Sequence, residues 1–282
     1  MFVEIIKFLI YSGIIVLISK YILVTTLRKL AENLNLKPKT IGDIAGFATS
    51  VPEFLTICAS SLNGLIGTSI INVLSSNVIN LIQYIASIVL NKNSKILKNK
   101  ALKIDLFLVL ITIIIPLVMV KYNLQMKIIA VPIFVFLYYI FVKTNSNIHK
   151  LYLKNEENKL EEKIQLEEQK EGQNTRKTIL YVIILAFSGI LLFVVGELLG
   201  ETLYVLCNSF SISQFIVGIL LGVITSLPEL ITFFEAQKHY KKNNDNEMLG
   251  VVEATNNLLT SNILNLFIIQ SIAILLLQFV AK

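Results

Sequence analysis

The sequence predicts an all-α integral membrane protein built from two copies of one helical unit in opposite orientations. Three observations lead there: long apolar segments recur along the chain, positively charged connections alternate with neutral ones, and two short polar motifs each occur twice.

Of the 282 residues, 55% are hydrophobic and only 16% charged, and the mean hydropathy is +0.71. A soluble domain carries about a quarter charged residues. A membrane span needs roughly 20 mostly apolar residues to cross ~30 Å of hydrocarbon. It must be helical, because the bilayer holds no water to satisfy open backbone groups. Eight segments qualify, at 4–27, 41–62, 65–90, 102–120, 124–142, 178–206, 212–236 and 248–280. The first is expected to be a retained span, since Lys7 is its only early positive charge and no A-x-A cleavage pattern follows.

The net charge of +6 does not indicate nucleic-acid binding, because most lysines flank apolar segments and act as topology signals. Arg28, Lys29, Lys37 and Lys39 follow span 1, and Lys92, Lys95, Lys98 and Lys100 follow span 3. The links after spans 2 and 6 carry no Lys or Arg, and Lys238, Lys241 and Lys242 follow span 7. Lys121 and Lys127 after span 4 are a weak exception. The positive-inside rule then places the N-terminus outside the cell membrane and makes spans 2 and 7 antiparallel. The chain divides into a first repeat at 1–142, a charged cytoplasmic segment at 143–177 and a second repeat at 178–282. The Glu/Lys-rich segment reads as a solvated linker, with a short amphipathic helix around Leu151, Leu160, Ile164 and Leu166. Cys58 and Cys207 lie in apolar stretches without metal-ligand or disulfide spacing and read as small buried hydrophobes.

The internal repeat is the most informative feature. Span 2 contains Thr49-Ser50-Val51-Pro52-Glu53-Phe54-Leu55-Thr56, and span 7 contains Thr225-Ser226-Leu227-Pro228-Glu229-Leu230-Ile231-Thr232, identical at five of eight positions. Asn72 to Leu81 in span 3 matches Asn257 to Leu266 in span 8 at six of ten. The identities fall on polar residues, where chance agreement between two apolar helices is least expected. The copies lie five spans apart, and an odd offset inverts the second. Inverted repeats with broken helices meeting near the midplane are the architecture of many secondary transporters.

Glu53 and Glu229 lie well inside their spans. An ionisable side chain at that depth costs a few kcal/mol and marks a functional site by default. Pro52 and Pro228 lack an N–H, so the carbonyls of Ala48 and Ile224 are expected to lose their helical partners. Helical spacing puts Thr49, Glu53, Thr56 and Ser60 on one face. Asn72, Ser76, Asn80 and Gln83 share another, and Glu253, Asn257, Ser261 and Asn265 a third. A single Ser or Asn in such a place often serves only as interhelical glue, at ~0.6 kcal/mol per bond. Whole stripes converging on two glutamates instead offer carboxylates, amide carbonyls and hydroxyls without His, Cys or Met. All-oxygen ligation suits hard cations and argues against Zn²⁺ or Cu⁺. Two negative charges balance one Ca²⁺ or two Na⁺, whereas Mg²⁺ gives up its water reluctantly.

At these residues the sequence resembles the cation/calcium exchanger superfamily, of the sodium/calcium exchanger type. That family's repeats read roughly G-T-S-x-P-E and then G-N-x-x-G-S-N-x-x-N or D. Thr49, Ser50, Pro52, Glu53, Asn72, Ser76, Asn77 and Asn80 match the first repeat. Thr225, Ser226, Pro228, Glu229, Asn257, Ser261, Asn262 and Asn265 match the second, so the motif regions fall at 42–82 and 218–267. The resemblance implies Ca²⁺ exchange against Na⁺, H⁺ or K⁺ by alternating access, with Ca²⁺ and Na⁺ as transported ions and no organic cofactor. It implies Glu53 and Glu229 as central ligands, completed by Asn80 and Asn265. The hydroxyls and carbonyls of Thr49, Ser50, Thr225 and Ser226, with Ser76 and Ser261, would bind accompanying Na⁺, and spans 1 and 6 would slide past this core. The family glycines are replaced by Ala48 and Ile224 before T-S, and by Ser75 and Thr260 before S-N. The Glu-to-Asn spacing is 36 residues in the second repeat against 27 in the first, and the extra residues are expected in the loop near 241–247. The family's ten spans in two sets of five become five plus three here. The chain is then either covered on its open flank by a second copy or a divergent or impaired member.

The expected partners are inorganic cations and the lipid bilayer. A monovalent-cation antiporter without Ca²⁺ and a non-transporting membrane scaffold are the alternatives. No H-E-x-x-H, Asp-rich diphosphate site or Ser/His pair points to an enzyme, and both histidines, His149 and His239, are expected in solvated loops.

Overall fold

The computed structural model describes residues 2–34, 36–122, 127–152, 175–242 and 247–280. The described residues are helical with short connections and contain no strand. Eight helices are long and apolar enough to cross a membrane. They are α1 (Phe2–Ala31), α2 (Pro38–Leu62), α3 (Ile66–Leu90), α4 (Lys100–Met119), α5 (Ala130–Tyr152), α6 (Thr175–Ser209), α7 (Gln214–Lys241) and α8 (Glu247–Gln278). The protein is an all-α, multi-pass membrane protein with inverted repeats.

Large apolar side chains on α1, α4, α5 and α6 point outward, as lipid-facing surfaces must, while α8 is the most enclosed helix. Two apolar clusters flank a polar midline. One joins α3, α4, α5, the second half of α7 and α8 around Tyr84, Phe134, Phe233 and Phe267. The other joins α1, α2, α6 and the first half of α7 around Ile15, Leu199, Leu203 and Leu221.

α2 and α7 are each broken once, at equivalent residues. The first half of α2 ends at Thr49 and the second starts at Val51, with Ser50 as the joint at φ −78°, ψ −2°. In α7 the joint is Ser226, at φ −82°, ψ 0°, between Thr225 and Leu227. Pro52 and Pro228 sit in the first turn of the resumed helices, where a missing N–H costs nothing. The N–H groups of Ser50 and Ser226 close the preceding half-helices on the carbonyls of Gly46 and Gly222, at 3.2 and 3.3 Å.

The two repeats interlock through small residues. The first half of α2 packs on α8, and the first half of α7 packs on α3. A Cβ on Gly42 or Gly46 would run into the backbone of Glu253, Asn257 and Ser261. A Cβ on Gly218 or Gly222, the matching residues of α7, would run into Thr68, Ile71, Ser75 and Ser76. This is small-xxx-small packing, with glycines that let backbones approach. The close approach is supplied here by glycines two and six residues before Ala48 and Ile224.

Several expectations need correction. The fifth span runs from 130 to 152 rather than 124 to 142, so the linker begins later. His149 therefore lies on a membrane helix and not in a solvated loop. It is buried, with Nε2 2.9 Å from Asp105 Oδ2, and Asn145 donates to the other Asp105 oxygen at 3.0 Å. A buried aspartate needs such partners, and α4 and α5 supply them. His239 is likewise on α7 and half-buried. The extra residues of the second repeat are mostly helical. Relative to α2 and α3, α7 runs three residues further, to Lys241, and α8 starts four residues earlier, at Glu247. Of the amphipathic helix placed around Leu151 to Leu166, only Leu151 and Tyr152 belong to α5, and the rest lies outside the described residues.

Gly46→Leu or Gly222→Leu should force the interlocked helices apart and destabilise the protein by about 1–3 kcal/mol. Gly189→Leu, at a position with nothing within 4 Å of a new Cβ, should be silent. Thermal unfolding of the detergent-solubilised protein measures both.

Candidate cation site

The break in each helix decides where its glutamate goes. Glu53 and Glu229 fall in the first turn after the joint. The N-terminal end of a half-helix carries partial positive charge, which favours a carboxylate there. Both side chains are fully buried, and they lie within electrostatic reach of each other at the midline between the repeats. Thr225 and Ser226 of α7 adjoin Glu53, and Thr49 of α2 and Ser261 of α8 adjoin Glu229. Each glutamate thus faces the joint of the other broken helix. Local sequence alone does not specify this crossing, which follows from the interlocked packing.

The remaining candidates lie around the pair, all buried except Ile224. Ser261 Oγ donates to Glu229 Oε1 at 3.0 Å and is bridged to Ser50 Oγ at 3.0 Å. Thr49 Oγ1 lies 3.4 Å from Asn257 Oδ1, and Ser76 Oγ lies 3.2 Å from Asn72 Oδ1. Thr225 Oγ1 returns to the Leu221 carbonyl at 2.9 Å. The side chains of Ala48 and Ile224 belong to the apolar cluster beside the site. Ser60, on the expected stripe, turns instead to Ser69. Glu253, also on a stripe, bonds to Arg28 of α1 at 2.7 Å.

Four asparagines form a reciprocal network across the pseudo-two-fold axis. Asn77 Nδ2 donates to the Asn262 carbonyl at 3.2 Å, and Asn262 Nδ2 donates to the Asn77 carbonyl at 3.1 Å. Asn80 Nδ2 donates to Asn262 Oδ1 at 3.2 Å, and Asn265 Nδ2 donates to Asn77 Oδ1 at 3.3 Å. With their NH₂ groups engaged this way, Asn80 and Asn265 keep Oδ1 without a partner. Asn77 and Asn262 are therefore orienting residues. The sequence shows them inside the matched motif, but only the cross-repeat bonds reveal their role. A second matched pair braces the glutamate backbones. Asn72 Nδ2 donates to Thr56 Oγ1 at 2.8 Å, Asn257 Nδ2 donates to Thr232 Oγ1, and both threonines donate to the carbonyl of their glutamate. Asn265 sits in a π-helical turn, Leu264–Ile269, whereas Asn80 lies on unbroken α-helix.

Six buried oxygens of this cluster have no hydrogen-bond partner: both of Glu53, Oε2 of Glu229, Oδ1 of Asn80, Oδ1 of Asn265 and Oγ of Ser226. Buried polar atoms are almost always satisfied, and a concentration of bare acceptors calls for an absent electrophile. Two carboxylates, two amide carbonyls and hydroxyls, enclosed on every side, suit a hard cation of six to eight oxygen ligands.

Asn77→Ala should release the Asn265 amide and weaken divalent-cation binding about 10–100-fold, the usual effect of losing an orienting partner. Equilibrium ⁴⁵Ca²⁺ binding to purified, monodisperse protein measures it, and unchanged affinity would remove the orienting role.

Comparison with curated protein sequences and with solved structures gives no significant match in either case. The sequence model of a family described as sodium/calcium exchanger protein matches residues 5–145 and 180–282, which takes in both broken helices and both asparagine pairs. The chain belongs to the sodium/calcium exchanger protein family.

Proposed function

We propose that the protein is a secondary antiporter that exchanges Ca²⁺ for Na⁺ or H⁺ across the cell membrane, with its N-terminus outside. One observation carries the reading. Five of the six bare oxygens belong to two pairs of equivalent residues of the inverted repeats, Glu53 with Glu229 and Asn80 with Asn265. A cation held by them touches both broken helices, so the repeats can exchange conformations around a fixed site. Glu53, Glu229, Asn80 and Asn265 are the Ca²⁺ ligands, with Ser226 as a neutral sixth oxygen. The hydroxyls of Thr49, Ser50, Ser76, Thr225 and Ser261 border the same space and provide for the smaller charge of Na⁺. Every one of these side chains is buried, which corresponds to an occluded conformation between the outward-open and inward-open states.

Membership of the family supports ion transport rather than enzymatic chemistry. The choice of Ca²⁺ follows from the donor set: hard oxygens, a net charge of −2 and room for more than four ligands.

Glu53→Gln and Glu229→Gln keep the side-chain shape but remove half the charge of the cage. Each variant should retain the wild-type melting temperature in detergent and lose ⁴⁵Ca²⁺ uptake into proteoliposomes driven by an outward Na⁺ or H⁺ gradient. Normal uptake by both variants would reject the site.

A further inference from the structure

An enclosed cage is reached only through a mouth, and the two repeats close their mouths differently. We propose that the Arg28–Glu253 ion pair is the latch on one mouth, and that Glu253, once released, is the first ligand met by a cation entering from that side. This rests on the exchange activity proposed above and assigns it a gate and an access ligand.

Glu253 begins the stripe on α8 that continues through Asn257 and Ser261, so it stands about 12 Å along the helix from the serine that bonds Glu229. Between them Asn257 donates to Thr232, and Thr232 donates to the Glu229 carbonyl. A polar track therefore runs from Glu253 to the cage. Beside it lies a crevice lined by Val24, Leu27 and Arg28 of α1, Ala45 of α2, Thr232 of α7 and Glu253. Its volume is about 10 Å³, the room of a single water, so the track is shut in this conformation.

The ion pair shuts it. The 2.7 Å bond joins a guanidinium that is 17% exposed to a carboxylate that is 3% exposed, so the pair is itself the boundary between surface and interior. A carboxylate at such a boundary draws cations, and here a tethered cation occupies it.

The other mouth has no such pair. In the register that matches Asn257 with Asn72, Glu253 corresponds to Thr68. Thr68 is buried and bonds to Gln214: its N–H donates to Oε1 at 3.3 Å and its hydroxyl to the backbone carbonyl at 3.4 Å. The two ends of the pseudo-symmetric track are thus closed by an ion pair on one side and by neutral bonds on the other. A brace required by the packing of the repeats would occur at both.

The helix that carries Arg28 is built to move it. Ser19–Val24 of α1 is a π-helical turn, one turn before Arg28, and it packs against the first half of α2 and the second half of α7. A π turn holds one residue more than an α turn, so its loss rotates the helix beyond it by about 100° and carries Arg28 off Glu253. A cation then replaces the guanidinium on the freed carboxylate and passes along the hydroxyls and amides to the cage.

The test uses the full chain with Cys58 and Cys207 replaced by alanine and a reporter cysteine at Ala45 in the crevice, reconstituted in sealed vesicles. A membrane-impermeant, cationic methanethiosulfonate should label Ala45→Cys about tenfold faster in Arg28→Gln than in the parent, and from one face only, because labelling follows the fraction of molecules with an open mouth. Arg28→Lys should remain slow. Leu221→Cys, at the equivalent position of the second repeat, should be unaffected by Arg28→Gln, which separates unlatching from general loosening. The double variant Arg28→Gln/Glu253→Gln leaves no unpaired charge, should label as fast as Arg28→Gln, and carries the labelling test if the single variant does not fold. Between these two unlatched variants, the half-saturating Ca²⁺ for ⁴⁵Ca²⁺ uptake from that face should be about tenfold lower where Glu253 remains. Slow labelling of Ala45→Cys in the unlatched variants, or equal acceleration at Leu221→Cys, overturns the latch, and equal half-saturation overturns Glu253 as the access ligand. Labelling needs no transport, so a chain that labels as expected but shows no Ca²⁺ flux loses the exchanger reading and keeps the latch.

Discussion

Two buried glutamate side chains with no basic partner among the described residues, enclosed between membrane helices, are the constraint from which the rest of the structure follows. Left alone, such acids would not stay buried. They are held by half-helix N-termini and by neighbouring hydroxyls. Each device depends on another. The N-termini exist only because α2 and α7 break at Ser50 and Ser226. The hydroxyls come within reach only because glycines let each broken helix press against a helix of the other repeat.

The asparagine network answers a different problem. A carboxylate is an acceptor in either rotation, but an amide must be aimed. In a bilayer, unaimed amides would settle on any available donor or acceptor. Here the bonds among Asn77, Asn80, Asn262 and Asn265 engage the NH₂ groups and leave the side-chain carbonyls of Asn80 and Asn265 unpaired. Because the bonds join equivalent residues across the pseudo-symmetry axis, the two repeats are tied together by their matched asparagines. The symmetry is imperfect. Ser261 bonds to Glu229, whereas Ser76 bonds to Asn72, and only α8 has a π-helical turn beside its asparagine. An exchanger needs two related but unequal conformations, and a strictly symmetric cage could not tell outward from inward.

Outside the cage, buried charges are handled conventionally. Asp105 is matched by His149 and Asn145, which pins α4 to α5, and Asn145 passes the connection on to Asn256 of α8 at 3.3 Å. Glu253 is matched by Arg28, which ties the N-terminal part of α8 to α1. The contrast shows that the bare glutamates are no general tolerance of buried acid in this fold.

Composition, hydropathy and the duplicated motif by themselves determine an all-helical membrane protein, eight spans, their inverted arrangement and the two glutamates, because each depends on local chemistry that a linear chain displays. An apolar run must be helical in lipid, and a buried acid is conspicuous wherever it falls. The sequence does not show that His149 lies inside the membrane, because Lys143, Asn145 and Lys150 around it resemble a linker until Asp105 is seen opposite. It also leaves open which amides aim and which bind, since Asn77 and Asn80 are equally polar on one helix. Only the tertiary structure decided those points, together with the glycine-mediated interlocking and the placing of each glutamate against the other repeat's joint. The physical reason is that they depend on which groups meet across a helix interface, and sequence spacing constrains neighbours within a helix but not partners between helices.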